Sequence, residues 1–405
     1  MTVQASAAFK QVARNAALFA ESTRQRTLTN MLTGEAPKGT KEVGKLQTDH
    51  GAPIVRITDL QTQAGKEVTV DIVHNLRGLP TMGDRKLAGR GDTMKFASDT
   101  IHVNQGRHMV DDGGAMFQST TDHDLGAIAK KLLSGWYKDL DEETTLYHLA
   151  GERGSDMNFE TGIVPTSDHA EYQEIMVNAP VPPTFSRHFY GGDATSIDTI
   201  DSTDLMSLEV LDRLSLIISE SGNVLTHVSL GEKVGMDEEP FFVYFISSRQ
   251  WYDLQQSATT KDWNALTTNA LKRSQNFNHP VFRGDTLMKE NILVRKMPKR
   301  VRFDVGYNVK VAQNNLAATT ELRTAPVAIE RSFLLGSQAL GVAFGHTKTT
   351  KTHFNIHQEK ADHGNVQEYS IAYCNGKKAL QFKDRAGRLH CHGRIIVDTA
   401  VSAGF

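Results

Sequence analysis

The stretch "GLPTMGDRKLAGRGDTMKF", from Gly78 to Phe96, decides the fold because of the runs on either side of it. "KEVTVDIVHNL" precedes it and "TMKFASDTIHVNQ" overlaps its end, and both runs place apolar residues two apart. Alternation with a period of two predicts half-buried β-strands. The sequence therefore predicts a long β-hairpin with the quoted stretch as its loop, and the glycines of that stretch suit a chain that must turn.

A hairpin of this kind needs a second surface to lie on. Two strands alone are marginally stable in water, and a loop of roughly 20 residues without structure of its own is usually functional or disordered. The loop mixes apolar and charged side chains, which favours contact with a neighbouring copy of the chain through Leu79, Pro80, Met82, Arg85, Lys86, Leu87, Arg90 and Asp92. A contact between unlike surfaces of two copies is heterologous, and it builds rings or extended lattices.

Two other interpretations of the stretch are disfavoured. A phosphate-binding loop places Gly-Lys and then Ser or Thr at the start of a helix, whereas the quoted stretch opens no predicted helix. Arg90-Gly91-Asp92 matches a cell-adhesion tripeptide, but so short a motif arises by chance, and the first residues do not resemble a secretory signal.

The composition indicates a soluble globular protein, because 39% of its 405 residues are hydrophobic and 23% are charged. The formal net charge of -2 argues against a dedicated nucleic-acid-binding protein, which would be basic. Cys374 and Cys391 are the two cysteines, so we expect a reducing compartment. No apolar run of about 18 residues is present, so we expect no membrane span.

Helical periodicity marks three segments outside the hairpin. The first is an N-terminal amphipathic arm with Phe9, Val12, Ala16 and Phe19 on one face, followed by an extended connector over 31–53. The second is a long helix that starts near Asp122 or Asp124 and ends at Gly151. The third is predicted over 196–222.

The second half of the chain reads as strands with one α/β alternation. "PFFVYFISS" is a continuous apolar run, typical of a buried strand, and it leads directly into the helical pattern of "RQWYDLQQ". Strand and turn patterns then follow to the end of the chain. A hairpin, a long helix, an α/β segment and closing strands together predict an α+β protein with two lobes.

One basic cluster has two interpretations. It comprises Arg295, Lys296, Lys299, Arg300 and Arg302, and the first four are the candidates for contact with DNA or a neighbour. Scattered lysine and arginine side chains suffice for non-specific contact with nucleic-acid phosphates. The alternative is a strand and turn whose basic face meets an acidic neighbour.

Histidine-rich segments raise a metal-dependent enzyme as a rival hypothesis. The candidates are His353, His357, His390 and His392, with Cys391 between the last two. Neither cluster has the ligand spacing of a known zinc motif. No nucleophile elbow is present either. We therefore expect no catalytic residue, no metal and no cofactor.

The order of these segments resembles the major capsid proteins of tailed phages with the Hong Kong 97-type fold. The loop region is similar to that of the capsid family of schitovirus-type podophages, whose Gly-Asp, Leu-x-Gly and Arg-His motifs correspond here to Gly83-Asp84, Leu87-Ala88-Gly89 and Arg107-His108. "FFVYFISSRQWYDLQQ", "NHPVFRGDTLMKENILVRK", "LLGSQALGVAFG" and "GRIIVDTAV" are similar to later segments of that family. Arg90 departs from the usually acidic loop, and His279 interrupts an Asn-Pro pair.

The resemblance implies a structural protein, the major capsid protein of a tailed double-stranded DNA phage. It would form pentamers and hexamers of an icosahedral virion shell assembled in the host bacterial cytoplasm. Its implied partners are further copies of itself, portal, scaffolding and decoration proteins, and packaged DNA held non-specifically. A cellular nanocompartment shell of the same fold, enclosing enzymes, is the alternative.

The resemblance also implies a division of the chain. Residues 1–60 would form an N-terminal arm and residues 61–108 the extended loop. A peripheral domain over 109–190 would contain a spine helix at 122–150. An axial domain would cover 191–330, and residues 331–405 would return to the peripheral domain.

Overall fold

The fold is described from a computed structural model. It describes residues 28–33, 51–58, 66–74, 76, 78–120, 124–156, 162–220, 225–229, 241–276, 286–316, 319–346 and 353–402. The predicted arm, with Phe9, Val12, Ala16 and Phe19, lies outside these residues, as does most of the predicted connector. No helix among the described residues is long and apolar enough to cross a membrane.

Seven α-helices lie within the described residues. They are α1 (Leu28–Leu32), α2 (Ala115–Ser119), α3 (Leu125–Ala150), α4 (Tyr172–Met176), α5 (Leu208–Glu220), α6 (Ser248–Ser257) and α7 (Thr260–Asn276). Short 3₁₀ turns occur at Phe185–Arg187, Ile197–Thr199 and Asp362–Gly364.

The strands dominate the second half of the chain. They are β1 (Ile54–Ile57), β2 (Glu67–Val73), β3 (Phe96–His102), β4 (Asn104–Asp111), β5 (His188–Tyr190), β6 (Phe242–Ile246), β7 (Thr286–Lys289), β8 (Ile292–Lys296), β9 (Arg302–Phe303), β10 (Asn308–Ala312), β11 (Thr320–Thr324), β12 (Ile329–Leu335), β13 (Leu340–Phe344), β14 (Phe354–Ala361), β15 (Val366–Ala379), β16 (Gln381–Lys383), β17 (Leu389–Cys391) and β18 (Arg394–Ala400).

A seven-stranded mixed sheet has the order β5-β18-β12-β6-β8-β7, with β9 pairing with β12. β6 is buried along its whole length and leads into α6, as the sequence predicts. Ser247 begins that helix, because its hydroxyl accepts a hydrogen bond from the Gln250 amide while the Gln250 side chain accepts from the Ser247 amide.

A five-stranded sheet, β1-β13-β15-β14 with β4 paired to β15, carries the long helix α3 on one face. The sequence prediction of this helix is confirmed, since Asp124 caps its start by accepting from the Ala127 amide at 3.0 Å. Gly151 ends it with φ of 77°. A Cβ at that position would lie 2.5 Å from the Val181 carbonyl oxygen. Glycine is therefore required there both for its positive φ and for the close approach of the neighbouring backbone.

Two predicted boundaries are wrong. The helix predicted over 196–222 begins only at Leu208. The preceding residues instead form a 3₁₀ turn and polar turns, in which the side chains of Ser196, Thr199 and Asp201 bond to nearby backbone groups. The connector predicted over 31–53 also starts too early, since its first two residues end α1.

The core contains charged side chains that no local sequence pattern indicates. Arg331 of β12 and Asp398 of β18 are fully buried cross-strand partners, joined by two hydrogen bonds of 2.8 and 2.7 Å. The ring of His188 contacts the same carboxylate at 2.7 Å. Burial by itself would raise the pKa of Asp398, but Arg331 and His188 hold it well below its usual value.

Candidate inter-subunit contact surface

The predicted hairpin is present and its register follows the apolar pattern. β2 and β3 pair antiparallel from Glu67 opposite His102 to Val73 opposite Phe96. Val68 and Ile101 face each other across the ladder, and both are buried. The alternation predicted for the first strand is therefore confirmed, because its apolar side chains lie on the face that meets the rest of the subunit. In the second strand it holds at Ile101, whereas Phe96 is exposed.

The base of the hairpin is anchored to the body of the subunit. Val68 and Ile101 join an apolar cluster with Val55, Ile57, Val103, Ala343, Leu380 and Phe382. The Asn178 side chain forms two hydrogen bonds with the backbone of His102, of 3.0 and 2.9 Å. Asp99 pairs with Lys378 at 2.5 Å. The hairpin is thus fixed where its strands begin and end.

The loop of residues 74–95 extends beyond the strands. The His74 amide donates to the Lys95 carbonyl at 3.0 Å, which closes the base of the loop. Gly83 and Gly89 have φ of 66° and 83°, and a Cβ at either position would meet nothing within 4 Å. Glycine serves there for its backbone conformation rather than for close packing.

The apolar side chains of the loop are exposed in the subunit. Leu79 is 91% exposed, and Met82 and Leu87 are each 70% exposed. Pro80, Arg85, Lys86 and Arg90 are also exposed. Burying one such apolar side chain is worth roughly 1.5–3 kcal/mol, and a clustered apolar surface of this kind is typical of an interaction site.

Asp92 is the exception among the eight predicted contact residues. It is half-buried, and its carboxylate accepts a hydrogen bond of 2.9 Å from the Gly78 amide. Arg385 donates to the same carboxylate through both terminal nitrogens, one of them at 2.9 Å. Arg385 lies 293 residues away in sequence, and no pattern around "KDRAGRL" points to this pairing. The assignment of all eight residues to a neighbouring copy stays a prediction.

The basic cluster is folded onto carboxylates of its own chain. Lys299 pairs at 2.5 Å with Glu143, which is fully buried and also accepts from the amides of Ile163 and Val164. Arg300 donates to Asp156 at 2.5 and 3.2 Å, and this hydrogen bonding raises the pKa of its guanidinium.

Two further members of the cluster, Arg295 and Lys296, lie on β8. Lys296 sits 4.9 Å from the centre of the Trp251 ring, and Arg295 is half-buried beside it. The carboxylate contacts of Lys299 and Arg300 favour the second interpretation of the cluster, a basic face that meets acidic groups. Contact with DNA stays a prediction.

The histidines of the rival hypothesis lie in separate settings. His353 packs on Phe344, and its burial lowers its pKa to about 4. His357 is exposed, 3.5 Å from Glu359. His390 contacts Ser186 at 3.0 Å.

His392 packs edge-on against Phe382, and its burial lowers its pKa to about 4. Across the described part of the chain, no three His, Cys, Asp or Glu side chains gather to hold a metal ion. The metal-dependent enzyme therefore gains no support from the described histidines.

The fold defines the class of protein. The structure is similar to the capsid of Ralstonia phage GP4, with a TM-score of 0.72 and 25% identity over 92% of this chain and 93% of that chain. It is also similar to the cyanophage Pam1 capsid, with a TM-score of 0.60 and 17% identity over 88% and 90% of the two chains. The head structure of Helicobacter pylori bacteriophage KHP40 is similar with a TM-score of 0.57 and 10% identity, over 87% of this chain and 88% of that chain. The α+β architecture is that of Hong Kong 97-type capsid subunits.

The family follows from the sequence match. A model of the phage capsid protein family matches residues 2–403, and the chain belongs to that family. None of the curated proteins matches it. The chain is a major capsid protein of a tailed phage, and it resides in the shell of the virion.

Proposed function

We propose that the loop of residues 74–95 lies on an adjacent copy of the chain and joins subunits into the pentamers and hexamers of an icosahedral shell around double-stranded DNA. The observation that supports this most is the exposure of Leu79, Met82 and Leu87 on a hairpin whose base is firmly anchored. An anchored base presents the tip in one direction, so little order is lost when a partner covers it.

The same contact also accounts for a closed assembly. The tip and the surface it meets are different parts of the subunit, so the contact is heterologous and propagates from copy to copy. Each contact on its own is weak, but a subunit in a shell makes several at once, and their combined strength exceeds that of any pair. We propose a structural role without catalysis.

The finer divisions and partners are part of the proposal. The resemblance supports an arm over 1–60, an extended loop over 61–108, a peripheral domain over 109–190, an axial domain over 191–330 and a return over 331–405. α3 would then be the spine of the peripheral domain. Portal, scaffolding and decoration proteins are the other proposed partners. Packaged DNA would be held non-specifically, and the paired charges of Lys299 and Arg300 favour weak contact there.

Two related identities are separated by the family. Membership of the phage capsid protein family favours a virion shell over a cellular nanocompartment. Within the family, Gly83-Asp84, Leu87-Ala88-Gly89 and Arg107-His108 support the schitovirus-type subtype. Portal and terminase genes beside the coding gene would support the virion, and a cargo-enzyme gene would contradict it.

Serine at all three of Leu79, Met82 and Leu87 tests the role of the tip. We expect a folded, soluble subunit that forms no closed particles, because the substitutions remove the apolar contact and touch no core residue. Electron microscopy and sedimentation of the purified protein measure this. The matched control replaces the exposed Leu216 of α5 by serine, which we expect to leave assembly unchanged. Closed particles of normal diameter from the triple variant would contradict the proposal.

A further inference from the structure

One carboxylate holds the loop in two ways. The Gly78 amide donates to Asp92 Oδ2 at 2.9 Å, so Gly78 and Asp92 meet and close a neck around residues 79–91. We call these two residues the neck. A Cβ at Gly78 would lie 3.2 Å from the Asp92 Cβ, which shows how closely the two chain segments approach. Leu79, Met82 and Leu87 lie within the segment that the neck encloses, which we call the tip, whereas the exposed Leu76 and Met94 lie outside it.

The same carboxylate ties the neck to the body of the subunit. Arg385, in the turn between β16 and β17, donates to both oxygens of Asp92. A bidentate guanidinium–carboxylate pair restricts orientation as well as distance, because two parallel hydrogen bonds define a plane. Of the described residues 78–95, Asp92 is the one whose side chain forms an ion pair with the body of the subunit.

Among the described residues, the space beside the base of the loop is open. An open groove of about 580 Å³ lies between the base of the loop and the β16–β17 hairpin. Its walls include Lys95 and Phe96 on the loop side and Lys383 and Leu389 on the body side. Because the loop is not packed against the body across this groove, its direction depends on the anchored strands at one end and on the Asp92–Arg385 pair farther along.

We propose that Asp92 and Arg385 are positioning residues that set the direction of the loop, so that its tip meets the adjacent copy. The inference rests on the proposed function, since it gives the pair a role only if the tip makes that contact. It also reassigns Asp92 from the contact itself to the support of the contact.

A series at Arg385 tests the inference. Arg385→Ala removes the ion pair between the loop and the body of the subunit. We expect the initial rate of particle formation to fall about fivefold, the scale of one lost ion pair. In Arg385→Glu a like charge faces Asp92, and we expect a fall of about tenfold or more. Arg385→Lys keeps the charge without the bidentate geometry, so it should restore part of the rate. Light scattering gives the rates, and electron microscopy gives the particles.

The controls separate positioning from stability. Arg388 lies in the same turn and pairs with Asp384 at 4.0 Å. We expect the Arg388→Ala subunit to assemble at the wild-type rate. Hydrogen exchange of unassembled subunits should be faster within 78–92 in Arg385→Ala and Arg385→Glu, while their melting temperatures stay at the wild-type value.

The outcomes distinguish this inference from the proposed function. If Arg385→Glu assembles as fast as wild type, or if it loses assembly only by lowering the melting temperature, the positioning role is overturned. If the triple-serine tip variant fails to assemble while Arg385→Glu assembles normally, the proposed function stands and the inference fails. If the tip variant itself assembles normally, the proposed function fails first.

Discussion

Two arginine–aspartate pairs with the same chemistry lie in opposite settings. Arg331 and Asp398 are cross-strand partners at the centre of the seven-stranded sheet and have no exposed surface. Arg385 and Asp92 join the loop neck to a turn, and Arg385 retains 32% of its side-chain exposure. The ladder already holds the first pair in place. The second pair lies outside the strand ladders on either side of it.

The difference indicates what each pair does. A buried charge without its partner carries the full cost of desolvation, so the core pair is essential to stability once it is present. A partly exposed pair is screened by water and salt, so it contributes little to stability. What such a pair can still provide is geometry, because the loop continues beyond the strands that anchor its base.

Breaking the core pair should have the largest effect. Asp398→Asn keeps the shape of the side chain but leaves Arg331 with Glu152, 3.9 Å away, as its charged partner, and we expect a loss of about 3–5 kcal/mol in the free energy of unfolding. Urea unfolding of the unassembled subunit measures it. The double variant Arg331→Met with Asp398→Leu should recover part of the loss, because neither member of the pair is left buried without the other, although Glu152 loses its arginine. A loss below about 1 kcal/mol for Asp398→Asn would show that the buried and exposed pairs are equivalent.

Acid should weaken the core gradually, through histidines that are buried in the folded subunit. Burial lowers the pKa of His148 to about 3 and those of His353 and His392 to about 4, from an ordinary 6.5. These rings are neutral in the folded state at pH values where the unfolded chain binds protons. Stability is therefore complete above about pH 6.5 and falls towards pH 4, by at most about 1.4 kcal/mol per pH unit for each histidine.

Urea unfolding at pH 7, 6 and 5 measures this dependence. His392→Gln should give a shallower slope, since one buried ring no longer contributes to the difference in proton uptake. Equal free energies of unfolding at pH 7 and pH 5 would contradict the prediction.

The smallest effect on stability is expected at the loop pair. Asp92→Asn is the same substitution as in the core, but its partner Arg385 remains in contact with water. We expect no measurable change in the melting temperature and a clear fall in the rate of assembly. Scanning calorimetry and light scattering on the same preparation compare the two. A large fall in the melting temperature would place this pair with the core pair instead.

Local patterns predicted the elements whose neighbours are close in sequence. The hairpin follows from alternation around Val68 and Ile101, and the extent of α3 follows from Asp124 and Gly151 at its ends. The apolar spacing indicated a helix but not its buried face, since Ile128 and Leu132 are exposed. The start of α5 was predicted too early because apolar spacing continues through residues whose polar side chains prefer turns. There, short-range hydrogen bonds override the periodicity.

The charged partners were beyond local patterns. Glu143 lies 156 residues before Lys299, and Arg385 lies 293 residues after Asp92. Acidic and basic residues are common on every surface, so a sequence carries no signal for which of them will meet. For this reason the sequence alone places Asp92 with the contact residues of the loop and allows two interpretations of the basic cluster.

The amino-acid sequence by itself determined the strands of the hairpin, the length of α3, the buried strand β6 and the presence of a loop with apolar side chains between the two hairpin strands. Periodicity and capping act over a few residues, so they are legible in one dimension. The tertiary structure alone decided which carboxylate each arginine meets, and hence which pair stabilises the core and which one supports the loop. Those choices depend on the distance between segments that only the packed sheets bring together.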